Sequence, residues 1–152
     1  MGKQEQEIKI FLEKVRADIG SDFVGLACHD FDSHHIRWQY VAGNLNNLYR
    51  KITLWPGRGI AGKVVASGRP MALEDFALKS GDDAREYPIL LAEDLRSVMA
   101  APIIECDHVK GVLLIGFRTP HRFTEETLAQ LVFFAGQCRE LLAEPELNLP
   151  EV

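Results

Sequence analysis

The chain has little that marks a disulfide scaffold, a membrane protein or a polyanion binder. Its 152 residues contain three cysteines. None sits in a Cys-x-x-Cys pair or at regular spacing, which excludes a disulfide framework or thiolate zinc site and fits reduced thiols. Basic residues, 17, are outnumbered by 22 acidic ones for a net charge of -5. With no lysine or arginine stripe, a nucleic-acid partner is not expected. The longest apolar runs, Val98 to Ile104 and Val112 to Phe117, are far short of the roughly 20 residues that cross a bilayer, so no membrane association is expected. The N-terminus lacks the basic start and apolar centre of a secretory signal, and a cytoplasmic location is expected. No Walker-type loop is present, and neither Ser67 nor Ser97 has His and Asp companions at a catalytic spacing.

What is present is the pattern of one soluble globular unit, 47% hydrophobic and 26% charged. It is expected to span 1–144, followed by a loose tail over 145–152. Ile8, Phe11, Leu12, Val15 and Ile19 recur at helical spacing, and Gly20 ends that first helix. Phe23 to Cys28 reads as a buried strand. In the next strand Ile36, Trp38 and Tyr40 alternate with Arg37 and Gln39, which puts the three large residues on one face. Ile52 and Leu54 lead into Pro56-Gly57, and the run from Gly57 to Pro70 reads as a glycine turn opening a helix that Gly68 closes. A short strand follows at Met71 to Leu73, then a polar connection from Asp75 to Glu86, then a helix start at Tyr87-Pro88. Ser97 to Ile104 and Val109 to Phe117 form a hairpin. The last helix begins at Thr124, with Phe123 and Leu128 placed as a hydrophobic staple. Its expected apolar stripe is Leu128, Leu131, Val132, Ala135, Cys138 and Leu142.

Several chemistry-bearing residues read as ordinary. Neighbours on a strand point to opposite faces, so His29, His34 and His35 do not converge on a metal, and none is expected. Glu93 with Asp94, and Asp82 with Asp83, are adjacent in sequence without facing each other, so both pairs read as solvated charges. Cys28 and Cys138 fall at core positions, where a thiol acts as a small hydrophobe, and only Cys106 reads as exposed.

The element order, together with Gly57-Arg58-Gly59-Ile60-Ala61-Gly62, Ser67-Gly68-Arg69-Pro70, Ala101-Pro102-Ile103 and Gly111-Val112-Leu113, resembles the GAF domain family. The resemblance implies an α+β fold with a central antiparallel sheet of five or six strands. The N- and C-terminal helices would cover one face, and a ligand pocket would lie on the other. Within that family, Trp38, the segment Gly43 to Trp55, and Tyr87-Pro88-Ile89 resemble the nitrate receptors of the NreA type. That resemblance implies a nitrate pocket walled by Trp38, Leu54, Ile60, Ala61, Tyr87, Pro88 and Ile89, with backbone NH groups of two helix N-termini as donors. It also implies a sensor histidine kinase of a two-component system as partner, no catalysis and no cofactor; a homodimer through the terminal helices is a separate reading, that of a ligand-free dimerisation module. The competing enzyme reading is a free methionine-R-sulfoxide reductase, whose motif carries a cysteine where this chain has Ala61. A GAF sensor of another small ligand is a further alternative.

Overall fold

Period-two runs of β-branched and small apolar residues build the centre of the molecule, and two periodic helices close one side of it. The structure, a computed structural model, describes residues 2–76 and 85–142. The expected tail over 145–152, and Asp82 with Asp83, lie outside the described residues. Helix α1 (Lys3–Ile19) leads into β1 (Phe23–His29) and β2 (Ile36–Ala42). A 3-10 turn (Leu48–Lys51) and β3 (Thr53–Leu54) precede α2 (Gly59–Ser67) and β4 (Met71–Leu73). Helix α3 (Pro88–Glu93), β5 (Ser97–Glu105), β6 (His108–Phe117) and α4 (Glu125–Leu141) complete the order. The strands form one antiparallel sheet in the order β3-β2-β1-β6-β5-β4.

Each sheet face has its own core. Val24, Leu26, Ala101, Leu113 and Ile115 pack under α1 and α4 through Ile8, Leu12, Val15, Leu131, Phe134 and Cys138. The opposite face sends Phe23, Ala27, Trp38, Ala100, Val112 and Leu114 against α2 and α3. The long terminal helices therefore share one side, and the shorter glycine-rich helix lies on the other. This is the α+β arrangement that the resemblance implies.

Two details depart from the sequence reading. In α4 the buried positions are Leu131, Phe134, Ala135 and Cys138, spaced three, four and seven apart, while Val132 is 48% exposed. Val132 lies about 100° round the helix from Leu131, and the large ring of Phe134 fixes the buried face away from it. In β2, Ala27 pairs with Trp38 but Leu26 pairs with Tyr40, so Gln39 is an extra residue with no partner across the ladder. Such a bulge reverses the facing of the residues beyond it. Trp38 joins the α2 core, whereas Tyr40 packs with the α1 and α4 core.

The chain reverses after β2 at Gly43 (φ +76°), where a Cβ would stand 2.2 Å from the Asp22 carbonyl oxygen. Gly20, which caps α1 at φ +84°, has open space around it. Gly20→Ala is therefore expected to cost only about 1 kcal/mol from backbone conformation, and Gly43→Ala at least about 2 kcal/mol more from the added clash. Urea denaturation of the two variants checks the difference.

Candidate functional site

On the α2 side a cleft of about 730 Å³ opens between β3, the start of α2 and the start of α3. Thr53, Leu54, Trp55, Gly57, Arg58, Gly59, Arg85, Glu86 and Pro88 line it. Trp55 is half exposed, and the His35 ring stands edge-on to it at 5.1 Å.

The start of α2 is built by a tight turn. Arg58 N donates to Trp55 O (2.9 Å) and Gly57 N to Gly62 O (2.7 Å), which folds the turn back on the first coil of the helix. Only glycine fits at 62, since a Cβ there would lie 2.3 Å from the Trp55 oxygen. Arg58, at the N-cap, is extended, and no side chain caps the first turn. The first NH groups of a helix have no intrahelical partner, so this end of α2 presents unsatisfied donors and a partial positive charge.

Helix α3 is held over that end by Lys63. Its ammonium donates to the Tyr87 hydroxyl (3.0 Å), pairs with the Glu86 carboxylate, and lies 4.9 Å from the Tyr87 ring centroid. These contacts, Glu86 first and Tyr87 second, raise the Lys63 pKa above its usual value. Phe76 meets Tyr87 edge-on at 5.6 Å. Its position is set by Phe76 N donating to Arg96 O (2.6 Å) and by the Arg96–Asp75 ion pair (2.8 Å).

Six of the seven residues singled out from the sequence, Trp38, Leu54, Ile60, Ala61, Tyr87 and Ile89, belong to one buried cluster. Pro88, half buried, lines the cleft beside Leu54. The two helix termini are not equivalent, however. Pro88 has no NH, and the NH groups of Leu90 and Leu91 both donate to Tyr87 O (3.0 and 3.4 Å), so α3 can contribute at most the Ile89 NH. A different donor was missed by sequence reasoning. The indole Nε1 of Trp38, a residue only 2% exposed, is buried without a hydrogen-bond partner among the described residues. The ring packs where a side chain on Gly25 would stand, 3.1 Å from that position. A large residue facing a glycine on the neighbouring strand is the signal that would have marked it.

The reading of Glu93 as a solvated charge is overturned. Glu93 is fully buried and its Oε1 accepts from Arg118 Nη2 (2.8 Å) and Leu45 N (2.8 Å). Arg118 Nε donates to the Glu93 carbonyl (2.9 Å) and Nη2 to the Gly43 carbonyl (3.1 Å). Pairing across 25 positions leaves no local pattern, so adjacency to Asp94 was misleading. Asp94 is exposed and caps α3 at φ +55°.

The profile of the GAF domain family matches residues 5–143. A structure of NreA from Staphylococcus aureus, mutated in its nitrate binding site, is 35% identical, with a TM-score of 0.73 over 79% of this chain and 91% of that one. Free methionine-R-sulfoxide reductase from Neisseria meningitidis is 19% identical, with a TM-score of 0.70 over 91% of this chain and 79% of that one, a likeness of fold alone. The HTH-type transcriptional activator RamA of Corynebacterium glutamicum is 26% identical over 94 residues, 62% of this chain. The match spans about a third (34%) of that curated relative's length.

The thiols are chemically distinct. Cys138 is buried, and desolvation first, with the neighbouring Cys28 second, pushes its pKa up to about 12. Cys28 is half buried rather than fully buried, at the rim of a small cleft with His29, Tyr40 and Lys110. Cys106 is exposed in the β5–β6 turn. No group of three or more His, Cys, Asp or Glu among the described residues is arranged to hold a metal, and no described helix is long and apolar enough to cross a membrane. A thiol probe added to native protein at neutral pH is expected to label Cys106 first and Cys28 more slowly. Cys138 should react only on unfolding, because burial and a raised pKa both deny it thiolate. Peptide mapping after timed labelling checks the order.

Proposed function

The chain belongs to the GAF domain family, and we propose that within it the chain is a binding module for a small monoanion, with nitrate the first ligand. The carrying observation is the joining of Trp38, Leu54, Ile60, Ala61, Tyr87 and Ile89 into one buried cluster at the uncapped start of α2. The 35% identity to a protein with a nitrate binding site supports the choice of anion.

The chemistry is that of fixed dipoles in an apolar wall. NH groups at the start of α2, the Ile89 NH and the orphan Trp38 Nε1 supply donors without a buried cation. A planar, weakly hydrated anion loses little on leaving water, whereas sulfate or phosphate must shed a tightly held shell that such walls do not replace. Ala61, small and in the first turn, is fully buried, and the anion is proposed to sit beside it. The proposed role is binding rather than catalysis, in keeping with Ala61 at the position where the free methionine-R-sulfoxide reductase motif carries a cysteine. We further propose that it acts on a sensor histidine kinase in the cytoplasm, free or as a homodimer through α1 and α4. A second reading, a larger organic anion, is favoured by the size of the cleft, since about 730 Å³ exceeds what a four-atom ion fills.

Ala61→Phe is expected to abolish nitrate binding in a folded domain, with overpacking costing about 1 to 3 kcal/mol of stability. Calorimetry with nitrate, and with benzoate for the larger class, separates the two readings: nitrate affinity unchanged in Ala61→Phe places the site elsewhere, and benzoate alone binding removes nitrate.

Affinity should also be flat with pH. Nitrate and backbone NH groups do not titrate near neutrality, and Lys63, whose pKa is raised, stays charged throughout. A fall of about tenfold between about pH 6 and pH 8 would instead point to a histidine ligand.

A further inference from the structure

The buried Glu93–Arg118 pair lies outside the proposed anion site, yet it ends the helix that forms one wall of that site. Helix α3 has only six residues. Its first turn carries Tyr87, Pro88 and Ile89 beside the cleft, and its last residue is Glu93. A helix this short moves as a unit, so a shift of the wall is a shift of the carboxylate.

From Glu93 the contacts lead away from the cleft in two directions. Oε1 holds the Leu45 NH, and Asn46 Nδ2 donates to the Ala92 carbonyl (2.9 Å), which fastens the turn after β2 to α3. Arg118 bridges Glu93 to the Gly43 carbonyl, while its own NH donates to Asp22 Oδ2 (2.8 Å). Asp22 immediately precedes β1, and Asp22 N donates to Gly116 O (2.9 Å) at the end of β6. Gly43 is pressed between Asp22 O and the Arg16 side chain of α1, the nearest atoms to a Cβ there. The chain of contacts thus runs from the cleft wall to the corner where α1 ends and β1 begins, on the side of the sheet that the cleft does not face.

We propose that the Glu93–Arg118 pair is a positioning device that links occupancy of the anion cleft to this α1–β1 corner. The proposal rests on the anion reading for the identity of the ligand. A second property of Glu93 suits it to such a link. Its Oε2 is buried with no hydrogen-bond partner among the described residues, so Oε1 alone carries the side-chain contacts to Leu45 and Arg118. A displacement of that oxygen weakens the Leu45 and Arg118 contacts together.

Amide hydrogen exchange of the full chain, with sodium nitrate against sodium chloride at equal ionic strength, tests the link. In the wild-type chain nitrate is expected to slow the Leu45 and Arg118 amides about fivefold or more. Glu93→Gln keeps an acceptor oxygen and nearly the same shape but removes the ion pair. It is expected to bind nitrate within about threefold of wild type while losing the slowing at both amides. Slowing that persists in Glu93→Gln, or wild-type slowing confined to α2 and α3, overturns the proposal. So does a folded variant that binds about tenfold more weakly, because the pair would then shape the cleft rather than relay its state. If Glu93→Gln does not fold, Arg118→Lys takes its place with the same expectations. If the wild-type chain does not bind nitrate, the anion reading fails on its own, and Ala61→Phe becomes the perturbation of the wall. Altered exchange at Leu45 and Arg118 that Glu93→Gln suppresses then supports the link, and unaltered exchange overturns it.

Discussion

A carboxylate removed from water must be met by cations and donors, and the arrangement around Glu93 follows from that constraint. Its partner, Arg118, keeps a side-chain exposure of 23%, so the arginine reaches inward from the edge while the glutamate lies wholly inside. Removing one member of a buried pair costs roughly 3 to 5 kcal/mol, and partial exposure of Arg118 puts the expectation at the lower end. That energy is spread over chain segments remote in sequence: the turn after β2, the end of α3, the end of β6 and the residue before β1. At its far end α3 is fastened by this pair and by Asn46 on the Ala92 carbonyl, while Lys63 holds Tyr87 and Glu86 at the end beside the cleft.

The two faces of the sheet divide the work. Under α1 and α4 the contacts are between large apolar side chains, leucine on leucine and Phe11 edge-on to Phe134 at 6.0 Å, and their role is to fill space. Under α2 the core sets Phe23 and Trp38 among Ala27, Ala100 and Val112, and the helix begins on a glycine turn. Burial there removes water without supplying acceptors, so NH groups at the start of α2 and the Trp38 indole gain most from an anion. Lys63 stands at the edge of this region, but its charge is already met by Glu86 and Tyr87. It holds Tyr87 and Glu86 in place.

Most of the fold was legible because it is written in local periodicity. Strand alternation, Gly20 and Gly68 as helix stops, and Thr124 as a cap whose hydroxyl accepts from Thr127 N (3.1 Å) are all signals within a few residues of the feature they mark. The seven proposed wall residues came from a family resemblance rather than from spacing, and their joining in space rests on long-range packing that no window of sequence contains. The features that were not legible are of the same kind. Glu93 read as solvated because its partner is 25 positions away, and Val132 read as buried because Phe134 was not weighed against it. The Pro88 signal for a helix start was sound, yet proline there removes the donor that an anion would need.

The bulge at Gln39 shows how small a change separates the two faces. Without the extra residue, Trp38 and Tyr40 would share a side, as strict alternation requires. With it, Tyr40 turns under α1 and α4, and Trp38 alone enters the α2 core, where Gly25 on the neighbouring strand leaves room for its ring. An indole in that place must bury its NH together with its rings, and no described atom accepts from it. An unmet donor of this kind costs about 1 to 3 kcal/mol in an apolar core. Phenylalanine in its place would carry no unmet donor but would leave part of the space empty. Keeping tryptophan there makes physical sense when an acceptor is supplied from outside, and the bulge, the glycine and the orphan donor then form a single device for receiving it.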